Sequence, residues 1–113
     1  MTTIKIYQKD GIIKGFEISG HSGYAKAGHD IVCASVSAIS TNACLGIKKV
    51  LKIDAKMKID DRNGYLLLML PKNLEQDKQE KAQILLETMK QSLEEIAFDY
   101  EKFVKMEVQD EIY

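Results

Sequence analysis

A histidine and a cysteine, His21 and Cys33, lie within one short stretch, Gly20–Ser37, that reads GHSGYAKAGHDIVCASVS. Imidazole and thiol are the side chains best suited to covalent chemistry near neutral pH. The chemistry they suggest is acyl transfer. Cys33 would attack a carbonyl carbon and form a thioester, while His21 shares the thiol proton and later delivers it to the leaving amine. Backbone N–H groups at a helix start, that of Cys33 among them, would hold the oxyanion.

The neighbouring residues suit this role. Asp30 is a good helix N-cap and places Ile31, Val32 and Cys33 at the first three helical positions. The positive end of the helix dipole favours thiolate over thiol there, and the charge of Asp30 works against it. A protonated His21 beside the sulfur would decide the balance for thiolate. Asp30 either orients His21 or simply caps the helix. Ser37 lies one turn beyond Cys33, where it either bonds to the sulfur or packs the site, its hydroxyl tied to a carbonyl one turn back. Gly20, Gly23 and Gly28 let the connection bend. Ser22, Gly23, Tyr24, Ala25, Lys26, Ala27, Gly28 and His29 therefore form a candidate substrate loop, with Tyr24–His29 acting as a lid.

Other readings use the same residues. A helical cysteine is commonly a small buried hydrophobe, which is the plain alternative for both Cys33 and Cys44. His29 and Cys33 are four apart, and with His21 and Asp30 they could ligate zinc, although no Cys-x-x-Cys pair accompanies them. Zinc content after purification without added metal separates that case from catalysis. A third reading is a non-catalytic ribosome or nucleic-acid binding module, whose helix-start N–H groups could take an anion such as phosphate. The charge balance, 16 basic against 17 acidic residues, weighs against direct nucleic-acid binding.

The elements that must position these groups follow from periodicity. Thr3–Tyr7 alternates as a strand, Asp10-Gly11 is a hairpin turn, and Ile12–Ser19 returns. Ile31–Val50 reads as a helix with an apolar stripe of Val32, Val36, Ile39, Ala43, Ile47 and Val50. A second stripe of small residues, Cys33, Ser37, Ser40 and Cys44, runs beside it. No charge occurs from Ile31 to Ile47, so this helix should be central and buried, packed on a sheet and shielded by a second helix or a partner chain.

Leu51–Asp60 alternates as a half-buried strand, and Asp61–Gly64 turns. Tyr65–Leu70 is continuously apolar, as expected of a strand covered on both faces, and Pro71 ends it. Asn73 with Gln76 marks the start of a second helix that runs to about Asp99, its buried stripe being Ala82, Leu86, Met89, Leu93, Ile96 and Tyr100. Phe103–Val108 closes the chain as a strand, followed by a loose tail, Gln109–Tyr113. The order β-β-α-β-β-α-β predicts one α+β domain over residues 1–113, with a mainly antiparallel sheet and two helices.

Composition sets the outer bounds. The chain has 113 residues, 45% of them hydrophobic and 29% charged, which suits one globular domain with its own core. No run of about 18 apolar residues argues for a membrane span, and MTTIKIYQKD lacks the apolar centre of a signal peptide. A cytoplasmic protein with reduced thiols is the expectation. On a single helix Cys33 and Cys44 would lie ~16 Å apart, too far to bridge.

Gly20-His21, Ala25, Gly28, Asp30, Cys33 and Ser37 together resemble the pattern of the bacterial ribosomal-processing cysteine proteases (Prp). The likeness extends over the whole chain in length and element order. It implies a cysteine endopeptidase without a cofactor, with His21 and Cys33 as its catalytic dyad and Asp30 and Ser37 in support. The implied substrate is the short N-terminal extension of a large-subunit ribosomal protein, cut after a hydrophobic, aromatic-containing segment. A homodimer is also implied, which would suit a helix without a charged face.

Overall fold

The computed structural model describes residues 1–20 and 31–110. The expectations for His21, Asp30, the Ser22–His29 loop and residues 111–113 lie outside the described residues.

Five strands form one sheet in the order β3-β4-β2-β1-β5. The strands are β1 (Thr2–Lys9), β2 (Ile12–Ser19), β3 (Lys56–Asp60), β4 (Tyr65–Met69) and β5 (Val104–Asp110). β1–β2, β2–β4 and β3–β4 pair antiparallel, and β1–β5 pairs parallel. Asp10 and Gly11 both take positive φ, 54° and 78°, as a two-residue hairpin turn that matches strand twist requires.

Register explains why one face of this sheet is apolar. Ile4 lies opposite Ile18, Ile6 opposite Phe16, and Phe16 opposite Leu68. These side chains are buried with Val32, Val36, Ile47, Ala82, Leu86 and Leu93 of the helical layer. The other face carries Lys5 opposite Glu17, and Lys58 opposite Leu67. There Glu17 accepts hydrogen bonds from two tyrosine hydroxyls, Tyr7 at 3.0 Å and Tyr65 at 2.6 Å.

The first helix, α1 (Ile31–Leu45), continues into one π-helical turn at Gly46–Val50, closed by Leu51 N–H donating to the Gly46 carbonyl. A Cβ on Gly46 would lie 2.7 Å from Leu85 Cδ1 of the second helix, α2 (Gln76–Asp99), so the Leu85 side chain occupies the space that glycine leaves open. Together Ile31–Val50 are long and apolar enough to cross a membrane, although Ser, Thr and Asn interrupt any literal apolar run. Packing accounts for that composition. Val32, Val36, Ser40, Ala43, Cys44 and Ile47 are buried against the sheet and α2, which supplies the expected shield. The opposite face, with Ile31, Leu45 and Val50, is exposed in the single chain.

Several boundaries differ from the sequence reading. The alternating stretch from Leu51 becomes a strand only at Lys56, because Lys52 adopts a positive φ of 54° and Ile53 N–H donates to the Ile47 carbonyl. Ile53 and Ala55 are nevertheless buried, so period-two burial persists without a ladder. β4 is an inner strand, yet it is covered on one face only. Leu68 is fully buried, whereas Leu67 and Met69 face away from the helices and are half-buried opposite Lys58 and Lys56.

α2 starts at Gln76 with Glu75 as its cap residue, two residues beyond the expected cap Asn73, and no side chain caps it. Its first bond is Gln79 N–H to the Glu75 carbonyl. Of its stripe, Ala82, Leu86, Met89 and Leu93 are buried, while Tyr100 lies outside the helix and is exposed. β5 extends to Asp110, so Gln109 and Asp110 belong to the sheet, not to a loose tail. The Gln8 side-chain amide donates to the Asp110 carboxylate at 2.9 Å.

Candidate active site

Cys33 is the third residue of α1, placed there because Val32 and Val36 must point into the core and leave the 33–37 edge of the helix at the surface. Its side chain is partly exposed, and it borders a cleft of about 440 Å³ between α1 and the sheet. Ser37, Ser40 and Thr41 continue the helical wall. Thr2, Ile18, Ile59 and Leu66 form the sheet side, with the β3–β4 turn at one end through Asp61 and Gly64. Asp61 is the one charged side chain among the described residues of this lining. The cleft is thus apolar along the sheet and hydroxyl-rich along the helix, a surface suited to an extended peptide with an apolar side chain.

Gly20 borders the same cleft. It ends β2 with φ +86°, and a Cβ there would lie 2.6 Å from the Met1 carbonyl oxygen. Only glycine makes this exit from the strand without strain. The residue that precedes His21 and the residue that carries the thiol therefore share one opening. His21 and Asp30 themselves, and with them the dyad distance, lie outside the described residues.

The two cysteines are sharply distinguished. Cys44 is buried at 4% exposure, and desolvation pushes its thiol from 9.0 up to about 11, against a smaller opposing pull from the Lys48 ammonium. Cys33 is open to the cleft. Both remain thiols, as the spacing along one helix requires. Ser37 is exposed and lines the cleft one turn beyond Cys33, as expected. Among the described residues of α1, hydroxyls that bond back one turn are those of Ser35, to the Ile31 carbonyl at 2.8 Å, and Ser40, to the Val36 carbonyl at 2.7 Å. Among the described residues no three His, Cys, Asp or Glu side chains gather as metal ligands. Of the zinc set considered from sequence, only Cys33 is described.

Sequence reasoning did not find the sheet wall of the cleft. Ile59 carried the available signal. It continues an apolar alternation to the end of β3 and yet is 59% exposed.

Comparison with known proteins bears on this arrangement. The family model described as cysteine protease Prp matches residues 1–105. The ribosomal processing cysteine protease Prp of Bacillus subtilis (strain 168) is 35% identical over 98 residues, covering 87% of each chain. The protein of that name from Staphylococcus aureus is 30% identical over 110 residues, covering 94% of this chain and 97% of the relative. The crystal structure of the S. aureus ribosomal processing protease Prp with a covalently linked product peptide superposes with a TM-score of 0.84. It is 26% identical and covers 96% of this chain and 100% of that one. A thiol on the first turn of a core helix, a peptide-sized cleft beside it, and a family match that spans residues 1–105 make this chain a member of the cysteine protease Prp family.

Proposed function

We propose that this cysteine protease removes the short N-terminal extension of a large-subunit ribosomal protein, with Cys33 as nucleophile and His21 as its proton partner. One observation carries the residue assignment. Cys33 and Gly20, the neighbour of His21, border a single cleft. The names of the relatives, which are ribosomal processing proteases, support the substrate.

In this reading Cys33 Sγ attacks the scissile carbonyl carbon as its proton passes to His21. The oxyanion is held by N–H groups at the start of α1. The C–N bond then breaks, the amine leaves with the proton from His21, and a thioester remains on Cys33. Water adds to the thioester, and the acid product departs as the thiol re-forms. The Ser22–His29 connection is assigned to the bound peptide, because Gly20 before it and Cys33 after it in the sequence both border the cleft. The exposed, uncharged side of α1, with Ile31 and Leu45, supports the implied homodimer.

Incubation with the unprocessed ribosomal protein, read by mass spectrometry, tests the proposal. The parent chain releases the extension, while Cys33→Ala and His21→Ala leave it in place and keep the fold. Full cleavage by Cys33→Ala would refute the assignment.

A further inference from the structure

Thr2 lies in the same cleft as Cys33 but on the opposite wall, at the first position of β1. It is 2% exposed, and its hydroxyl Oγ1 has no hydrogen-bond partner among the described residues. It shares the helix-facing side of β1 with Ile4 and Ile6, where an apolar residue would serve packing better. A dry, unpaired hydroxyl is a standing cost to the free protein. The buried hydroxyl of Ser40 across the cleft avoids that cost by donating to Val36 and Ser37 carbonyls.

The backbone around Thr2 is held on both sides. Thr2 N–H donates to the Phe103 carbonyl at 2.9 Å, and Thr3 lies opposite Ser19 on β2. Gly20 approaches closely enough that no Cβ fits against Met1. Such a position is rigid in its main chain and free only about χ1. Rotation there exchanges the methyl and hydroxyl groups between the core and the cleft.

We infer that Thr2, on the sheet wall opposite Cys33, is a positioning residue for the peptide substrate: turned about χ1 toward the cleft, its hydroxyl bonds a main-chain amide group of the peptide lying there. A hydroxyl can donate to a carbonyl or accept from an N–H, so either orientation of the amide is served. Because the bond is to main chain, it fixes the depth and register of the peptide and leaves side-chain choice to Ile18, Ile59 and Leu66. This inference rests on the protease reading above.

The test uses the full chain and a peptide spanning the extension, with kcat and KM measured separately. Thr2→Val keeps the shape of the side chain and removes the hydroxyl. It should lower kcat/KM by about three- to ten-fold, the loss of one neutral hydrogen bond. It should leave the rate of Cys33 alkylation by iodoacetamide unchanged, and it should hold or raise the thermal midpoint, because an unpaired polar group has been removed. Thr2→Ser should restore kcat/KM to within about two-fold of the parent. A Thr2→Val variant that cleaves like the parent, or loses thermal stability in step with activity, overturns the inference alone. So does failure of Thr2→Ser to restore cleavage. A parent chain that leaves the peptide uncut, or a Cys33→Ala variant that cuts it, overturns the protease reading and this inference with it.

Discussion

The two thiols should differ in reactivity by far more than their shared helix suggests. Burial pushes Cys44 up to about 11 from 9.0, while Lys48 lowers it by less. That rise means about a hundred-fold less thiolate at any pH well below both values, and thiolate is the reactive form. At about pH 8 that leaves on the order of one Cys44 in a thousand ionised, against about one in ten for an ordinary thiol. Only 4% of Cys44 is exposed, so access reduces the rate further. Iodoacetamide added to the native chain should give a single adduct, and peptide mapping should place it on Cys33. Cys33→Ala should give none until denaturant is added, whereupon Cys44 reacts. Cys44→Ala should keep most of the cleavage activity. Labelling of native Cys44 at a rate comparable to Cys33 would show that the burial argument is wrong.

Two further outcomes concern the scaffold. Gln83 of α2 receives Ile13 N–H and donates to the Ile13 carbonyl, both at 2.8 Å, and so completes β2 beyond its ladder with β4. Gln83→Leu leaves both backbone groups unpaired and should cost about 2 kcal/mol in urea unfolding, and an unchanged midpoint would refute this role. Gly20→Ala forces a side chain into positive φ beside the Met1 carbonyl. It should destabilise by about 1–3 kcal/mol and slow cleavage in the folded fraction, and a variant as stable and active as the parent would contradict the geometry.

Much of the fold is legible because its signals are local. The Asp10-Gly11 turn, the alternation of Thr3–Tyr7 and the apolar stripe of α2 each depend on residues a few positions apart. The errors arise where tertiary context decides. Lys52 breaks the Leu51–Asp60 strand because the chain must leave a π turn and reach the sheet edge, and no residue type announces that. The apolar run of β4 does not reveal that both helices sit on one side of the sheet, leaving Leu67 and Met69 among lysine stems. At the candidate site, the position of Cys33 at a helix start is readable from Asp30 and the stripe that follows. The opposite wall is not readable, since Thr2, Ile18, Ile59 and Leu66 come from four strands and meet only through register.

The pairing of the last strand with the first has a consequence for biosynthesis. β1 is the inner neighbour of β5, and the bond between Gln8 and Asp110 spans 102 positions. While the chain is still being made, β1 therefore presents an open edge, and the amide of Thr2 waits for the carbonyl of Phe103. A nascent chain that stops short of these final residues can assemble its hairpins and first helix but lacks the strut behind one wall of the cleft. Contacts so distant in sequence form late, so the wall opposite the thiol should become firm only as synthesis ends.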